Sequence, residues 1–174
     1  VTEIAAASRV DAEISRATLE RVDLAALFEN LIRSREDRGM NGGRRLELDA
    51  AQDGPARVMG VPSQLERVAE NLLDNAVSFS PEAGTVRVTI RLAGRHVVTE
   101  VCDEGPGIAA DAREAVFRRF HSDRPEGESF GNHSGLGLAI GRAIAEAHDG
   151  TLIADARPDG AGGACLRLTL PGAP

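Results

Sequence analysis

The chain has 174 residues, 42% of them hydrophobic and 27% charged, which is enough for one globular domain with a substantial core. Its formal net charge of −7 argues against nucleic acid as the main partner, because binding to a phosphate backbone depends on Lys and Arg. With no Trp or Tyr and only five Phe, the core is expected to be aliphatic. The sequence has no apolar run near the roughly 20 residues that a membrane-spanning helix needs.

The two cysteines, Cys102 and Cys165, fall in strand-like runs and lack the spacing of metal ligands. We expect both to be buried, reduced side chains in a reducing compartment, and not partners in a disulfide. The chain begins without Met and with a helix-like composition, so we expect a fragment of a longer protein.

The first predicted element is a helix over residues 2–21, which are rich in Ala and free of Gly and Pro. Its apolar residues recur three or four apart, as in a helix packed on another helix, although a surface helix of the same domain is an alternative. Asp23 is the expected N-cap of a second helix, which ends by the polar residues 38–43. Residues 45–49 alternate like a strand, and residues 56–59 are its expected partner.

The rest of the chain predicts helices and strands whose order gives one layer of helices against a mixed, mostly antiparallel sheet. In chain order these are a helix from Pro62 that stops before Pro81, strands 85–92 and 96–102 joined at Gly94, a short helix over 111–117, a mobile polar loop over 121–133, a helix from Ser134 or Gly135 with Gly150 as its C-cap, and strands 151–154 and 164–170.

The most informative motif is Asp103-Glu104-Gly105-Pro106-Gly107-Ile108, directly after a predicted strand. A carboxylate there can accept a hydrogen bond from an exocyclic amine, and the two glycines let a ligand approach the backbone. Taken alone, the motif is equally typical of a tight turn.

Two asparagines, Asn71 and Asn75, are four residues apart and therefore share one face of the predicted helix. Their amide oxygens suit Mg²⁺, which usually keeps several waters and bridges phosphate groups. The alternative is a pair of surface asparagines without a ligand.

A third motif, Gly135-Leu136-Gly137-Leu138, places two poor helix formers where a helix should begin. That pattern fits a helix N-terminus whose backbone N–H groups approach phosphate oxygens, or simply a glycine-containing N-cap. The preceding segment Phe117-Arg118-Arg119-Phe120-His121-Ser122-Asp123-Arg124 holds three arginines, which suit a triphosphate or, alternatively, belong to a solvated helix end.

As a set and in this order, the motifs resemble the N, G1, F and G2 boxes of the catalytic, ATP-binding domain of bacterial sensor histidine kinases. The likeness covers about Asp23 to Pro171. It implies an α/β (α+β) two-layer sandwich of the Bergerat type, with a mixed, mostly antiparallel sheet covered on one face by helices. It also implies that residues 1–22 end a helix of a dimerisation and phosphoacceptor domain, and that residues 23–174 form the catalytic domain, with an ATP lid at about 121–134.

The resemblance implies a role for each matching residue. Asp103 would bind the adenine amino group, Asn75 would coordinate Mg²⁺, and Asn71 would support the phosphates. Arg119 or Arg124 would place a cation at the γ-phosphate. The other implied nucleotide contacts are Phe79, Gly105, Gly107, Ile108, Phe120, His121, Gly135, Leu136, Gly137 and Leu138.

Three positions depart from the family pattern. Ser78 stands where many relatives have Lys, so one phosphate contact is missing or supplied by an arginine. His121 and Ser122 replace a common Tyr-Arg pair, and His133 and Ser134 replace the small residues that usually precede Gly-Leu-Gly.

Transfer to a protein is favoured over hydrolysis, because related ATPases place a Glu base where this chain has Asn71, and an amide cannot take that proton. Glu70 is rotated by about 100° around the helix from Asn71. Positioning and charge stabilisation suffice for phosphoryl transfer. An anti-sigma-type serine/threonine kinase and a non-catalytic nucleotide-binding regulator are the alternatives.

The four histidines, His96, His121, His133 and His148, all lie outside the family's phosphoacceptor setting. We therefore expect the acceptor to precede Val1 and the fragment to bind ATP without autophosphorylating. The resemblance implies two partners, the dimerisation and phosphoacceptor domain of the same parent protein and a response regulator. It also implies that the parent is a homodimer and the fragment a monomer. The implied location of the fragment is the cytoplasm, in a parent that can be anchored in the inner membrane.

Overall fold

The computed structural model describes residues 8–10, 12, 17–50, 54–118 and 137–174. Its helices are α1 (Leu24–Asp37), α2 (Pro62–Phe79) and α3 (Gly137–Ala147), with single 3₁₀ turns at Ala110–Ala112 and Ala115–Phe117. Its strands are β1 (Glu20–Asp23), β2 (Arg45–Ala50), β3 (Arg57–Gly60), β4 (Thr85–Ala93), β5 (His96–Cys102), β6 (Thr151–Ala156) and β7 (Ala164–Pro171).

Five strands form the main sheet in the order β2-β4-β5-β7-β6. Strands β2 and β4 are parallel, and the other three pairs are antiparallel. One face of the sheet packs on the helices, with Val86, Val88 and Ile90 of β4 fully buried in the same core as Leu72 and Leu73 of α2. The two-layer sandwich with a mixed, mostly antiparallel sheet is therefore confirmed.

The opposite face of the sheet carries charged side chains, because alternate residues of a strand point to opposite sides. Glu100 of β5 pairs with Arg91 at 3.6 Å and with Arg167 at 3.5 Å, and Arg167 also reaches Asp155 at 3.5 Å. These ion pairs run across four neighbouring strands and mark the face as polar.

The predicted pairing of residues 45–49 with 56–59 is wrong. Residues 45–50 instead form β2, which runs parallel to β4, and residues 57–60 form β3, which pairs antiparallel with β1 in a separate two-stranded sheet. Strand β1 was missed because it has only four residues, of which Val22 is the one buried apolar side chain. The prediction assumed that β2 and β3 pair because they are consecutive in sequence. Each instead pairs with a strand more than 30 residues away.

The helix predicted over residues 2–21 is too long at its C-terminal end. Residues 8–10 and 12 are helical, but residues 20–23 belong to β1, so the helix ends before Glu20. The predicted N-cap is confirmed, since Asp23 Oδ1 accepts a hydrogen bond from the Ala26 N–H at 3.1 Å.

The end of α3 differs from the prediction in detail. The residue with positive φ is Asp149, at 59°, and the Gly150 N–H donates to Ala145 O at 2.8 Å in the manner of a Schellman motif. Gly150 is required for space, because a Cβ there would collide with Thr169 O. The helix predicted over residues 111–117 is two separate 3₁₀ turns, and the predicted loop and helix start over 121–136 lie outside the described residues.

The prediction of two reduced cysteines is also wrong. Cys102 and Cys165 lie directly opposite each other on β5 and β7, with Cα atoms 4.1 Å apart, and form a disulfide. Their separation of 63 residues gave no indication of this, because only the strand register brings them together. Within the described part of the chain, no helix is both long and apolar enough to cross a membrane.

Candidate nucleotide-binding site

Asp103 lies at the carboxyl end of β5, and its side chain faces the interior with only 6% of the residue exposed. Its Oδ1 atom accepts hydrogen bonds from the Gly105 N–H at 2.9 Å and the Ala164 N–H at 3.2 Å. Its own N–H donates to Ala164 O at 2.9 Å. Three backbone contacts therefore fix both the position and the orientation of this carboxylate.

Burial raises the pKa of Asp103, because removal of water disfavours the charged form. The N–H groups of Gly105 and Ala164 and the charge of Arg157 lower it in part. The protein's own hydrogen bonds and charges therefore do not fully offset the cost of burying the Asp103 carboxylate. A hydrogen-bond donor on a ligand, such as an exocyclic amine, would stabilise its charged form further.

The loop after Asp103 fits closely between two other backbone segments. A Cβ at Gly105 would lie 2.6 Å from Phe79 O at the end of α2. Gly107 has a φ of 80°, and a Cβ there would lie 3.1 Å from Gly163 O. Both predicted glycines are therefore needed here, because they let the loop pack closely against the end of α2 and the segment before β7.

The asparagines lie on the half-buried side of α2, as their spacing predicts. Asn71 Nδ2 donates to Gly137 O at 3.0 Å, so this side chain connects α2 to the first described residue of α3. Asn75 lies one turn further along α2, and Glu70 is exposed, away from the pair. The structure thus joins two of the motifs through a direct hydrogen bond.

The remaining predicted residues divide into two groups. Phe79, Ile108 and Leu138 are half-buried, and the last two pack against the main core. The predicted contacts that lie outside the described residues are Arg119, Phe120, His121, Arg124, Gly135 and Leu136.

Ser78, which departs from the family pattern, is 5% exposed, and its hydroxyl has no hydrogen-bond partner among the described residues. Because the side chain is enclosed, it does not take the place of a phosphate-binding Lys. Phe117 is also buried, and the Arg142 guanidinium lies over its ring, 4.5 Å from the centroid. Phe117 therefore belongs to the core beside α3.

An ion pair between the buried Arg35 and the partly exposed Asp74 of α2 was not predicted. The Arg35 side chain is 7% exposed, and it donates to Asp74 Oδ1 at 2.6 Å and to Asn41 Oδ1 at 3.1 Å. Asp74 is the residue before Asn75, so α1 holds the helix at the level of the asparagines. Only the place of Arg35 on the apolar side of α1 could have indicated its burial.

Gly163 and Ala164, on the strand beside Asp103, were also missed. Gly163 has a φ of 121°, and a Cβ there would collide with Asp103 O. The groups that matter at Gly163 and Ala164 belong to the backbone. Sequence motifs are recognised by their side chains, so no motif could indicate these two residues.

The arrangement has the donor set of a nucleotide site. A held carboxylate and an open glycine loop suit a base that carries an exocyclic amine, and two neutral amides on one helix face suit a hydrated Mg²⁺ ion with its phosphates. The hydrogen bond from Asn71 to Gly137 O places the Asn71 amide at the N-terminal end of α3, where backbone N–H groups favour anions.

Comparison with known proteins agrees with this geometry. Residues 60–174 match the family described as "Histidine kinase-, DNA gyrase B-, and HSP90-like ATPase". The sensor protein ChvG of Rhizobium meliloti (strain 1021) is 42% identical over 184 residues, which cover 100% of this chain and 32% of that protein. The chain thus spans about a third of the length of this curated relative.

Two solved structures are similar over nearly all of the chain. The mycobacterial sensor histidine kinase MprB is 32% identical, with a TM-score of 0.73 and coverage of 90% of this chain and 99% of the other. Full-length ShkA, solved in complex with AMPPNP, is 25% identical, with a TM-score of 0.78 and coverage of 99% and 35%.

The chain therefore belongs to the histidine kinase-, DNA gyrase B- and HSP90-like ATPase family. Within that family it is an ATP-binding catalytic domain of the sensor histidine kinase class.

Proposed function

We propose that this domain binds Mg-ATP and transfers the γ-phosphoryl group to a histidine on a preceding dimerisation domain, from which it passes to an aspartate of a response regulator. The observation that carries the proposal is the Asp103 carboxylate, buried at the end of β5 and fixed by the N–H groups of Gly105 and Ala164. It offers one oriented acceptor in a water-poor pocket, as selective recognition of an adenine amino group requires.

In this proposal each end of the nucleotide has its own residues. Asp103 accepts a hydrogen bond from the adenine amino group, while Gly105, Gly107, Ile108 and Phe79 shape the pocket around the ring. Asn75 holds Mg²⁺, and Asn71 supports the phosphates while its Nδ2 atom remains on Gly137 O. The metal, when bound, neutralises charge on the phosphate oxygens.

The second motif group completes the phosphate end. We assign Gly135, Leu136, Gly137 and Leu138 to the triphosphate, Phe120 and His121 to further nucleotide contacts, and residues 121–134 to a lid over the nucleotide. Arg119 or Arg124 supplies the cation at the γ-phosphate. Asn71 and the exposed, rotated Glu70 leave α2 without a base for water at this position, which supports transfer over hydrolysis.

The domain boundary belongs to the same proposal. We place the boundary just before β1 and not after residue 22, because Glu20–Asp23 pair with β3 of the catalytic unit. The residues before β1 lead from the dimerisation domain, and residues 20–174 form the catalytic unit. The parent protein acts as a homodimer with its ATP-binding domains in the cytoplasm, where ATP is available, and the isolated unit is a monomer.

Calorimetric titration with a non-hydrolysable ATP analogue, with and without Mg²⁺, tests the proposal. We expect Asp103→Ala to lose binding and Asn75→Ala to lose its Mg²⁺ dependence, while Asn30→Ala, at an exposed position of α1, binds like the wild type. Wild-type protein that binds no nucleotide, or Asp103→Ala protein that binds normally, would contradict the assignment.

A further inference from the structure

The disulfide between Cys102 and Cys165 joins the two strands that flank the candidate adenine site. Cys102 is the last residue of β5 and is half-buried, whereas Cys165, near the start of β7, has no exposed surface. In the strand register the two residues are directly opposite, and the next pair towards the site is Asp103 and Ala164.

That next pair is the one that orients the carboxylate. The Asp103 N–H donates to Ala164 O at 2.9 Å, and the Ala164 N–H donates to Asp103 Oδ1 at 3.2 Å. Because side chains alternate along a strand, the sulfur atoms lie on the outer face of the sheet and the carboxylate on the inner face. The disulfide therefore sets the distance between the two backbones without occupying the nucleotide site.

The cross-link lies where the β5–β7 pairing ends, and strand ends open more easily than strand centres. Residues 158–162, which precede Gly163 and Ala164 in the chain, are exposed, so the segment leading into this end of β7 is open to solvent. The covalent bond adds a constraint to the backbone hydrogen bonds that orient Asp103 at this strand end.

We propose that Cys102 and Cys165 are a reversible thiol–disulfide site that controls the affinity of this domain for adenine nucleotides, with the disulfide form binding more tightly than the dithiol form. This inference rests on the proposed role of Asp103. In the dithiol form the ends of β5 and β7 separate more often, and each opening removes the hydrogen bond from Ala164 to the carboxylate. Nucleotide binding must then first restore the orientation of Asp103, which weakens the affinity.

The chemistry is a two-electron exchange with a dithiol reductant. A reductant thiolate attacks Sγ of Cys102, the less buried of the two cysteines, the disulfide breaks, and Cys165 Sγ leaves as a thiolate that takes a proton from water. The second thiol of the reductant then attacks its own sulfur in the mixed disulfide and releases Cys102, which is also protonated. The products are two cysteine thiols and the oxidised reductant, and an oxidising disulfide reverses both steps.

The test compares the affinity of the oxidised and the reduced wild-type chain for the same ATP analogue, with Mg²⁺ in excess and a zinc-selective chelator that leaves Mg²⁺ free present throughout. The chelator is needed because Cys102, Cys165 and Glu100 place their ligand atoms within 4.8 Å of one another, so that a metal could bind the free thiols. We expect dithiothreitol to weaken binding by about five- to tenfold, through loss of preorganisation. The Cys102→Ser/Cys165→Ser double variant should bind like the reduced wild type and should not respond to the reductant.

Two further measurements make the test local and reversible. Hydrogen exchange at the Asp103 and Ala164 amides should become faster on reduction, while residues 97–99 in the centre of β5 remain protected. In glutathione buffers of graded composition, the thiol content and the nucleotide affinity should change together, and both should recover on oxidation.

The outcomes separate this inference from the proposed function. Equal affinity in the oxidised and reduced forms, or a disulfide that dithiothreitol reduces only after denaturation, would overturn the switch and leave the ATP site intact. Absence of binding in both forms would overturn the proposed function. Since the main comparison uses one unmutated chain, it does not depend on how the serine variants fold.

Discussion

Asp103, to which we assign the adenine contact, lowers the stability of the fold at neutral pH. Burial raises its folded-state pKa, so the folded protein holds this proton more firmly than the unfolded chain does. By linkage, the contribution of this carboxyl to stability is present in acid and is lost as the pH rises through the folded-state pKa. At higher pH the buried negative charge of Asp103 therefore lowers the stability of the fold.

Asp103→Asn should separate these two effects. An amide can still accept from the Gly105 and Ala164 N–H groups but carries no buried charge, so we expect the variant to be more stable than the wild type at neutral pH. We expect the difference to vanish in acid, where Asp103 is protonated. Urea unfolding at both pH values measures this, with Asp111→Asn, at an exposed position, as the control.

The same variant should bind the ATP analogue roughly 10- to 100-fold more weakly, because a charged acceptor of the adenine amino group is replaced by a neutral one. Lower stability at neutral pH together with unchanged affinity would show that Asp103 is a structural residue.

Gly163 and Gly162 provide a matched pair at the same scale. A side chain at Gly163 would meet Asp103 O from a backbone with positive φ, whereas Gly162 has open space. We expect Gly163→Ala to lower the free energy of unfolding by about 2–4 kcal/mol, and Gly162→Ala to be nearly neutral. Denaturant titration decides this, and equal effects would mean that the segment shifts to admit the methyl group.

At the scale of elements, two buried polar contacts position α2, which carries the asparagines. Arg35 of α1 pairs with Asp74 at the middle of the helix. His148, just after α3, accepts a hydrogen bond at Nε2 from the Val61 N–H at 3.2 Å, while its Nδ1 lies 2.8 Å from Ile144 O. Val61 is the N-cap of α2 and has no side-chain capping bond of its own, so the imidazole acts as the cap.

Removal of the Arg35 side chain should leave Asp74 and Asn41 without their donor. We expect Arg35→Ala to cost about 1–2 kcal/mol of unfolding free energy, since the buried Asn41 loses its donor while the Asp74 side chain, 42% exposed, can be hydrated by water. Arg33→Ala removes an exposed pair with Glu29, with both side chains more than half exposed, and should cost no more than about 0.5 kcal/mol. Similar losses in the two variants would argue against a special role for Arg35.

His148→Ala should leave the Val61 N–H without its acceptor and remove a ring that packs on Gly60. We expect a loss of about 1–2 kcal/mol in a thermal or urea unfolding experiment. His96→Ala, at an exposed strand end, is the control and should be neutral.

The limits of sequence reasoning also appear at this scale. Long periodic elements such as α2 and strands β4 and β5 were predicted to within a residue or two, because the spacing of their apolar residues shows which side of each element is buried. Strand β1, the parallel pairing of β2 and the Cys102–Cys165 bond depend on contacts between distant segments. Asp103 could be found from its motif, whereas the Ala164 N–H that orients it could not.

For the whole molecule, the proposed function predicts that this chain binds ATP while a different domain carries the histidine that accepts the phosphoryl group. The isolated chain should form no phosphohistidine with ATP, because none of its four histidines has the setting of an acceptor. Added to a dimerisation domain from its own parent protein, it should phosphorylate that domain. Transfer would be followed with radiolabelled ATP, and the stability of the labelled product in acid and in base would identify it as a phosphoramidate. Label on the isolated chain would contradict the prediction.

The two-stranded sheet also has a consequence for how the domain is attached. Val58 of β3 pairs with Val22 of β1 on one side and bridges to Gly172 on the other. At the usual spacing between paired strands, residues 22 and 172 are therefore only about 10 Å apart. Strand β1 and the residues that follow β7 therefore lie side by side, with β3 between them. A label placed next to each of these two segments would report a short and fixed distance for as long as the two-stranded sheet stays folded.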